Sequence, residues 1–91
     1  MQLTTKYNIG YFVWVINGKT GQIVEREIAG IRTQVINGTQ STMYSFLKDK
    51  FDPNSNYHDY LGYDPILPSE KYFWLNEEVC YKSKEELKNS L

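Results

Sequence analysis

One cysteine, one histidine and a scatter of carboxylates are the residues of this 91-residue chain best suited to chemistry. Cys80 and His58 form the one conceivable nucleophile and base pair, because neither type occurs twice. Cys80 sits between Val79 and Tyr81 in an apparent strand, where an ordinary semi-buried thiol is the expected role, and His58 falls in a polar stretch. Asp52, Asn54 and Asn56 place oxygen side chains at alternate positions, as a calcium loop does. Tyr57 stands where that loop needs glycine and Tyr63 where it needs a bidentate Glu, so a turn-rich connection is expected instead. Asp52, Asp59 and Asp64 would meet around a hard cation only if the fold gathered them. Glu77-Glu78 and Glu85-Glu86 are adjacent, which points their side chains apart in a strand and about 100° apart in a helix. The six glycines are scattered among turns rather than gathered into a phosphate loop. The expectation is a non-enzyme with no catalytic residues, no metal and no cofactor.

Binding chemistry has more support. Eight Tyr, four Phe and two Trp make 15% of the chain aromatic, more than a small domain can bury completely. Tyr7, Tyr11, Trp14, Tyr57, Tyr60 and Tyr63, with Arg26 and Arg32, are the candidate ligand- or partner-binding residues. Phe12, Tyr72 and Trp74 extend that aromatic set. Rings at strand ends stack on bases or seat partner side chains, and guanidinium groups hold phosphates. Against this, Tyr is a favoured strand residue, and at least half of Phe12, Trp14, Phe46, Phe73 and Trp74 should be core.

Charge sets limits on the partner. The net charge of −1 argues against a phosphate-neutralising surface spread over the whole molecule. Residues 1 to 50 carry a net +3 and residues 51 to 91 a net −4, an asymmetry that would suit head-to-tail self-association unless folding interleaves the two sets. A single cysteine excludes an intramolecular disulfide. Met1 to Ile9 shows no basic segment followed by an apolar one, and no window is long and apolar enough for a membrane span. A cytoplasmic protein, in a reducing compartment and without a membrane partner, is expected.

The elements that must position these residues are mostly strands. Tyr11 to Ile16 is β-branched and aromatic throughout, and Asn17-Gly18-Lys19-Thr20-Gly21 then supplies hairpin chemistry. From Gln22 to Val35 a strand alternates, with Val24, Arg26 and Ile28 on one face; beyond Gly30 the apolar positions become Ile31, Thr33 and Val35. That shift of phase by one residue predicts a bulge or sharp bend at Gly30. Asn37-Gly38 predicts a second hairpin, with Thr42 to Phe46 pairing back. Residues 47 to 70 lose all period and read as a long loop or insertion. Lys71 to Leu75 and Glu78 to Lys82 read as the last strands. Ser83-Lys84-Glu85-Glu86 is a capping box opening a terminal helix over 83–91, with Leu87 and Leu91 on one face.

Two groups of residues carry a resemblance. Lys6-Tyr7-Asn8-Ile9-Gly10, Val13-Trp14-Val15, Gln22-Ile23-Val24-Glu25 and Ile28-Ala29-Gly30-Ile31 resemble the opening of small SH3-like barrels in uncharacterised phage and prophage proteins. Ser83 to Leu91 resembles their close. About half of the chain is covered, and the motifs specify fold rather than chemistry. The resemblance implies one domain over residues 1–91: an all-β, antiparallel SH3-like barrel with a long 47–70 insertion and a short C-terminal helix. It implies a non-enzymatic accessory protein in a bacterial host cytoplasm, binding a host or phage protein or a second copy of itself. A nucleotide-sequestering or nucleic-acid-binding module, such as a phage anti-defence protein, is the alternative. Tyr11 and Phe12 stand where charged residues are usual, and the 47–70 connection is longer than the type needs. Those departures are where a specific activity is expected.

Overall fold

The residues around Gly30 shape the architecture. Ala29 donates its N–H to the Ser45 carbonyl at 2.8 Å, while Gly30 is itself the register partner of Ser45. Two consecutive residues therefore meet one, the definition of a bulge, and the expected continuous strand over 22–35 divides there. A computed structural model describes residues 5–50, 57–64 and 71–91. The first strand of the divided segment, β2, is Ile23–Glu27, and the second, β3, is Gly30–Ile36.

Before the bulge, β1 (Phe12–Ile16) pairs antiparallel with β2 through the expected hairpin. The turn is organised by Asn17, whose buried Oδ1 accepts the N–H groups of Lys19 and Thr20. After the bulge, β3 pairs with β4 (Thr39–Leu47) across Asn37-Gly38, both at positive φ as the tight turn requires. A two-residue strand, β5 (Tyr63–Asp64), and β6 (Tyr72–Asn76) complete a four-stranded sheet in the order β3-β4-β6-β5. The helix α1 (Lys84–Asn89) follows.

The mostly antiparallel β class with a short C-terminal helix is thus present, but no sheet closes into a barrel among the described residues. The bulge turns the chain out of the β1-β2 pair; single bridges tie Trp14 to Tyr81 and Asn17 to Tyr60, and Tyr81 and Tyr60 lie outside both sheets. Between them lies one core of Val13, Val15, Ile28, Tyr44, Phe46, Tyr60, Phe73, Leu75 and Cys80.

Three expectations are corrected. Residues 57–64, placed in the loop, form a 3-10 turn over Tyr57–Asp59 and then β5, because Tyr63 finds Leu75 as a strand partner. Glu78 to Lys82 is not a strand: Glu77–Val79 coil into a 3-10 turn, the Asn76 side chain accepting the Glu78 N–H and the Cys80 N–H closing on the Glu77 carbonyl. In the helix, Ser83 caps as expected by accepting the Glu86 N–H at 3.1 Å, and Leu87 is fully buried. Leu91 is 73% exposed instead of sharing that face, since the helix ends at Asn89.

The glycine at the bulge is required by crowding, because its φ is not positive. A Cβ at Gly30 would lie 2.5 Å from Ser45 Oγ, and Ser45 is itself pinned between Gly30 and its other register partner, Trp74. Gly30→Val is expected to cost about 1–3 kcal/mol by overpacking. An unchanged denaturation midpoint would show that the strand junction tolerates a side chain.

Candidate binding groove

Where β2 and β4 diverge beyond the bulge they leave an open groove of about 580 Å³. Ile28, Ala29, Phe46 and Leu47 make its apolar interior, Ile9 and Phe12 stand at its mouth, and Glu25, Arg26 and Glu27 run along one wall. Phe46 is fully buried, whereas Ile9 and Phe12 are 64% and 57% exposed. The groove is therefore an apolar cleft that reaches from solvent to the core. The neighbouring Tyr11 is exposed as well.

The register of the β1-β2 pair decides which side chains face which way. Phe12 pairs with Glu27 and Trp14 with Glu25, and the next pairs are Val13 with Arg26 and Val15 with Val24. Directly opposed residues share a face. Val13 and Val15 are fully buried, so Arg26 and Val24 lie on the core side, and Phe12, Trp14, Glu25 and Glu27 lie on the outer side. An Arg26 terminal nitrogen donates to the Glu25 carbonyl at 2.7 Å.

The candidate residues are dispersed. Tyr11 lies beside the groove and Arg26 lines it. Trp14 is half-buried, bridged to Tyr81 on the far side of β1 from β2. Arg32 is half-buried on β3 opposite Met43. Tyr60 is buried in the core, and half-buried Tyr63 has its ring centroid 4.5 Å from that of His58. Tyr57 opens the 3-10 turn before β5. Of the proposed core aromatics, Phe46 and Phe73 are buried, Trp14 and Trp74 half-buried, and Phe12 exposed. Sequence reasoning missed Ile9, Glu25, Glu27, Ile28, Ala29, Phe46 and Leu47 as lining residues. The phase change at Gly30 was the one available sign of a divergence there.

A second cluster is tied rather than open. Tyr44 donates its hydroxyl to Glu77 Oε2 at 2.5 Å, and the same oxygen accepts the Lys6 N–H at 3.0 Å. The Tyr7 N–H donates to the Tyr44 hydroxyl oxygen at 3.1 Å. Burial, and then the hydrogen bond to Glu77, hold the Tyr44 phenol well above its usual range. Tyr7 is raised too, by burial first and then by the Glu86, Cys80 and Glu77 charges. This cluster binds residues 5–8 to the body of the fold.

Cys80 lies in the same region, buried, its thiol donating to the Asn76 carbonyl at 3.5 Å. Burial, and then the Glu77 carboxylate, push the thiol up to about 12 from an ordinary 9.0, against a smaller lowering by Lys6. Such a thiol is not a nucleophile near neutrality. The native state holds this proton more tightly than the unfolded chain, so the stabilisation is complete below about pH 9 and is lost as pH rises toward about 12. Urea titrations across that window should show stability falling more steeply for wild type than for Cys80→Ala. Equal slopes would remove Cys80 as the source.

Asp52, Asn54 and Asn56 lie outside the described residues; among the described residues no group of three or more His, Cys, Asp or Glu is placed to hold a metal ion. No helix among them is long and apolar enough to cross a membrane. Compared with protein-family models, curated proteins and solved structures, the chain finds no match in any of the three.

Proposed function

We propose that this chain is a non-enzymatic accessory domain that binds a partner protein by seating an apolar side chain in the groove between β2 and β4. The observation that carries the reading is the continuity of the apolar lining, from exposed Ile9 and Phe12 at the mouth to buried Phe46 at the floor. Concave, mostly apolar sites with a few polar groups on the wall are where proteins take up side chains of their partners. The resemblance to phage and prophage proteins supports an accessory role in a bacterial host cytoplasm, and the aromatic excess in small SH3-like folds supports binding over catalysis.

Phe12→Glu tests this, because Phe12 is exposed and its loss leaves the core intact. Wild type and variant are compared by native mass spectrometry and by capture from bacterial lysate. A partner, or a second copy, held by wild type and lost by the variant is the expected result. The same complexes held equally by both would overturn the groove as the docking site.

Arg26 among the lining residues also favours a nucleotide, its guanidinium holding a phosphate, although Phe12 lies on the opposite face of the β1-β2 pair. Glu25 and Glu27 on the same wall repel phosphates, which weighs against it. A thermal-shift screen with mononucleotides, cyclic dinucleotides and short single strands decides between the two. A ligand at 100 times its Kd adds about 2.7 kcal/mol, and no stabilisation by any of them would end the nucleotide reading.

A further inference from the structure

Resting on the groove reading, we infer that the partner enters as an extended strand, added to the outer edge of β2, which alternates apolar side chains with Lys or Arg. β2 has a neighbour on one side only, β1, among the described residues. The hydrogen bonds fix which backbone groups use that side. Ile28 donates to the Tyr11 carbonyl and Asn17 to the Gln22 carbonyl, so the even-numbered residues from Gln22 to Ile28 turn their backbone groups toward β1. Antiparallel ladders alternate, so Ile23, Glu25 and Glu27 turn theirs outward. Two further contacts agree with this. The next odd residue, Ala29, donates away from β1 to Ser45, and the Glu25 carbonyl accepts the guanidinium of Arg26, in the same strand, at 2.7 Å, a bond that a partner N–H would displace. That carbonyl is thus directed where a partner N–H would come.

The same alternation sets the partner's chemistry. Residues of an added strand opposite Glu25 and Glu27 project on the outer face, beside two exposed carboxylates. A cation there meets two opposite charges. Intervening residues project on the inner face, past Arg26 and over Ile28, Phe46 and Leu47, where apolar side chains match the apolar interior of the groove. Backbone pairing supplies affinity and the alternating side chains supply selection, as in other strand additions.

The test uses the whole chain and two synthetic heptapeptides: one alternates Lys with Leu and Val, and the other has Glu in place of Lys. Amide exchange and chemical shifts are followed by NMR. The Lys peptide should bind and slow exchange at the Glu25 and Glu27 amides about ten-fold or more. Glu25→Gln with Glu27→Gln should weaken it about ten-fold, more so at low salt. Binding that shifts Phe12 and Phe46 without protecting those two amides overturns strand addition and leaves the groove reading intact. Equal binding of the Glu peptide overturns the charge assignment. No binding of either peptide at millimolar concentration overturns the inference, whereas the groove reading itself stands or falls on the Phe12→Glu comparison.

Discussion

Gly62→Ala is expected to destabilise the chain by about 2–5 kcal/mol, the combined cost of a strained backbone and an overpacked contact. Gly62 has a φ of +81°, which L side chains rarely adopt, and it directly precedes β5. Its carbonyl accepts the Asn76 N–H at 3.0 Å, so the backbone cannot swing away without releasing the end of β6. A Cβ there would collide with Val79 Cγ2 and come within 3.2 Å of the Asn76 nitrogen. Conformational strain and collision thus act together, where Gly30 suffers collision alone. Urea denaturation of the variant against wild type measures the loss. A change below about 1 kcal/mol would mean that Val79 and the 3-10 turn beneath it repack freely.

Phe46→Ala should cost about 3–5 kcal/mol, the range for a large buried aromatic cut to a methyl group. Phe46 is fully buried and opposes Phe73 across β4 and β6, with ring centroids 5.9 Å apart. Its loss leaves Phe73 with Tyr60 as a remaining ring neighbour, centroids 6.3 Å apart, which places the cost toward the lower end of that range. Since domains of this size hold about 5–15 kcal/mol in all, the loss is a large share of the total stability. Calorimetry or chemical denaturation gives the value. Phe46→Leu, which keeps most of the volume, should recover more than half of it, and equal losses for the two would show that shape rather than burial is at stake.

Elements legible in the sequence were those fixed by neighbouring residues. Asn37-Gly38 closes its hairpin, Ser83 caps its helix, and the β-branched stretch before Asn17 is a strand, because turn chemistry and capping act over three or four residues. The bulge was legible as a change of phase, although its cause, crowding by Ser45, belongs to a strand 15 positions away in register. What failed depended on distant partners. Val79 and Tyr81 suit a strand, yet Asn76 caps a 3-10 turn there, and Tyr63 to Asp64 are a strand only because β6 lies beside them. The candidate site failed in the same way. Aromatic type marked Tyr60 as a surface ring, but it joins the core beside Phe73, with ring centroids 6.3 Å apart. The groove is made by Ile9, by both faces of β2 and by the end of β4, segments that no local pattern links.

The ties between residues 5–8 and Glu77 bear on the order in which the protein assembles. The Lys6 to Glu77 hydrogen bond spans 71 positions, and the Tyr7 to Tyr44 bond spans 37. During synthesis, Lys6 and Tyr7 leave the ribosome long before the carboxylate that anchors them. At about 5–20 residues per second, the interval between Lys6 and Glu77 is several seconds, far longer than hairpin formation takes. The two Asn-containing hairpins can close while the early segment is still loose. Fastening it is then a late, long-range step, and β1, whose outer edge waits for Tyr81, stays open to pairing with other chains until then.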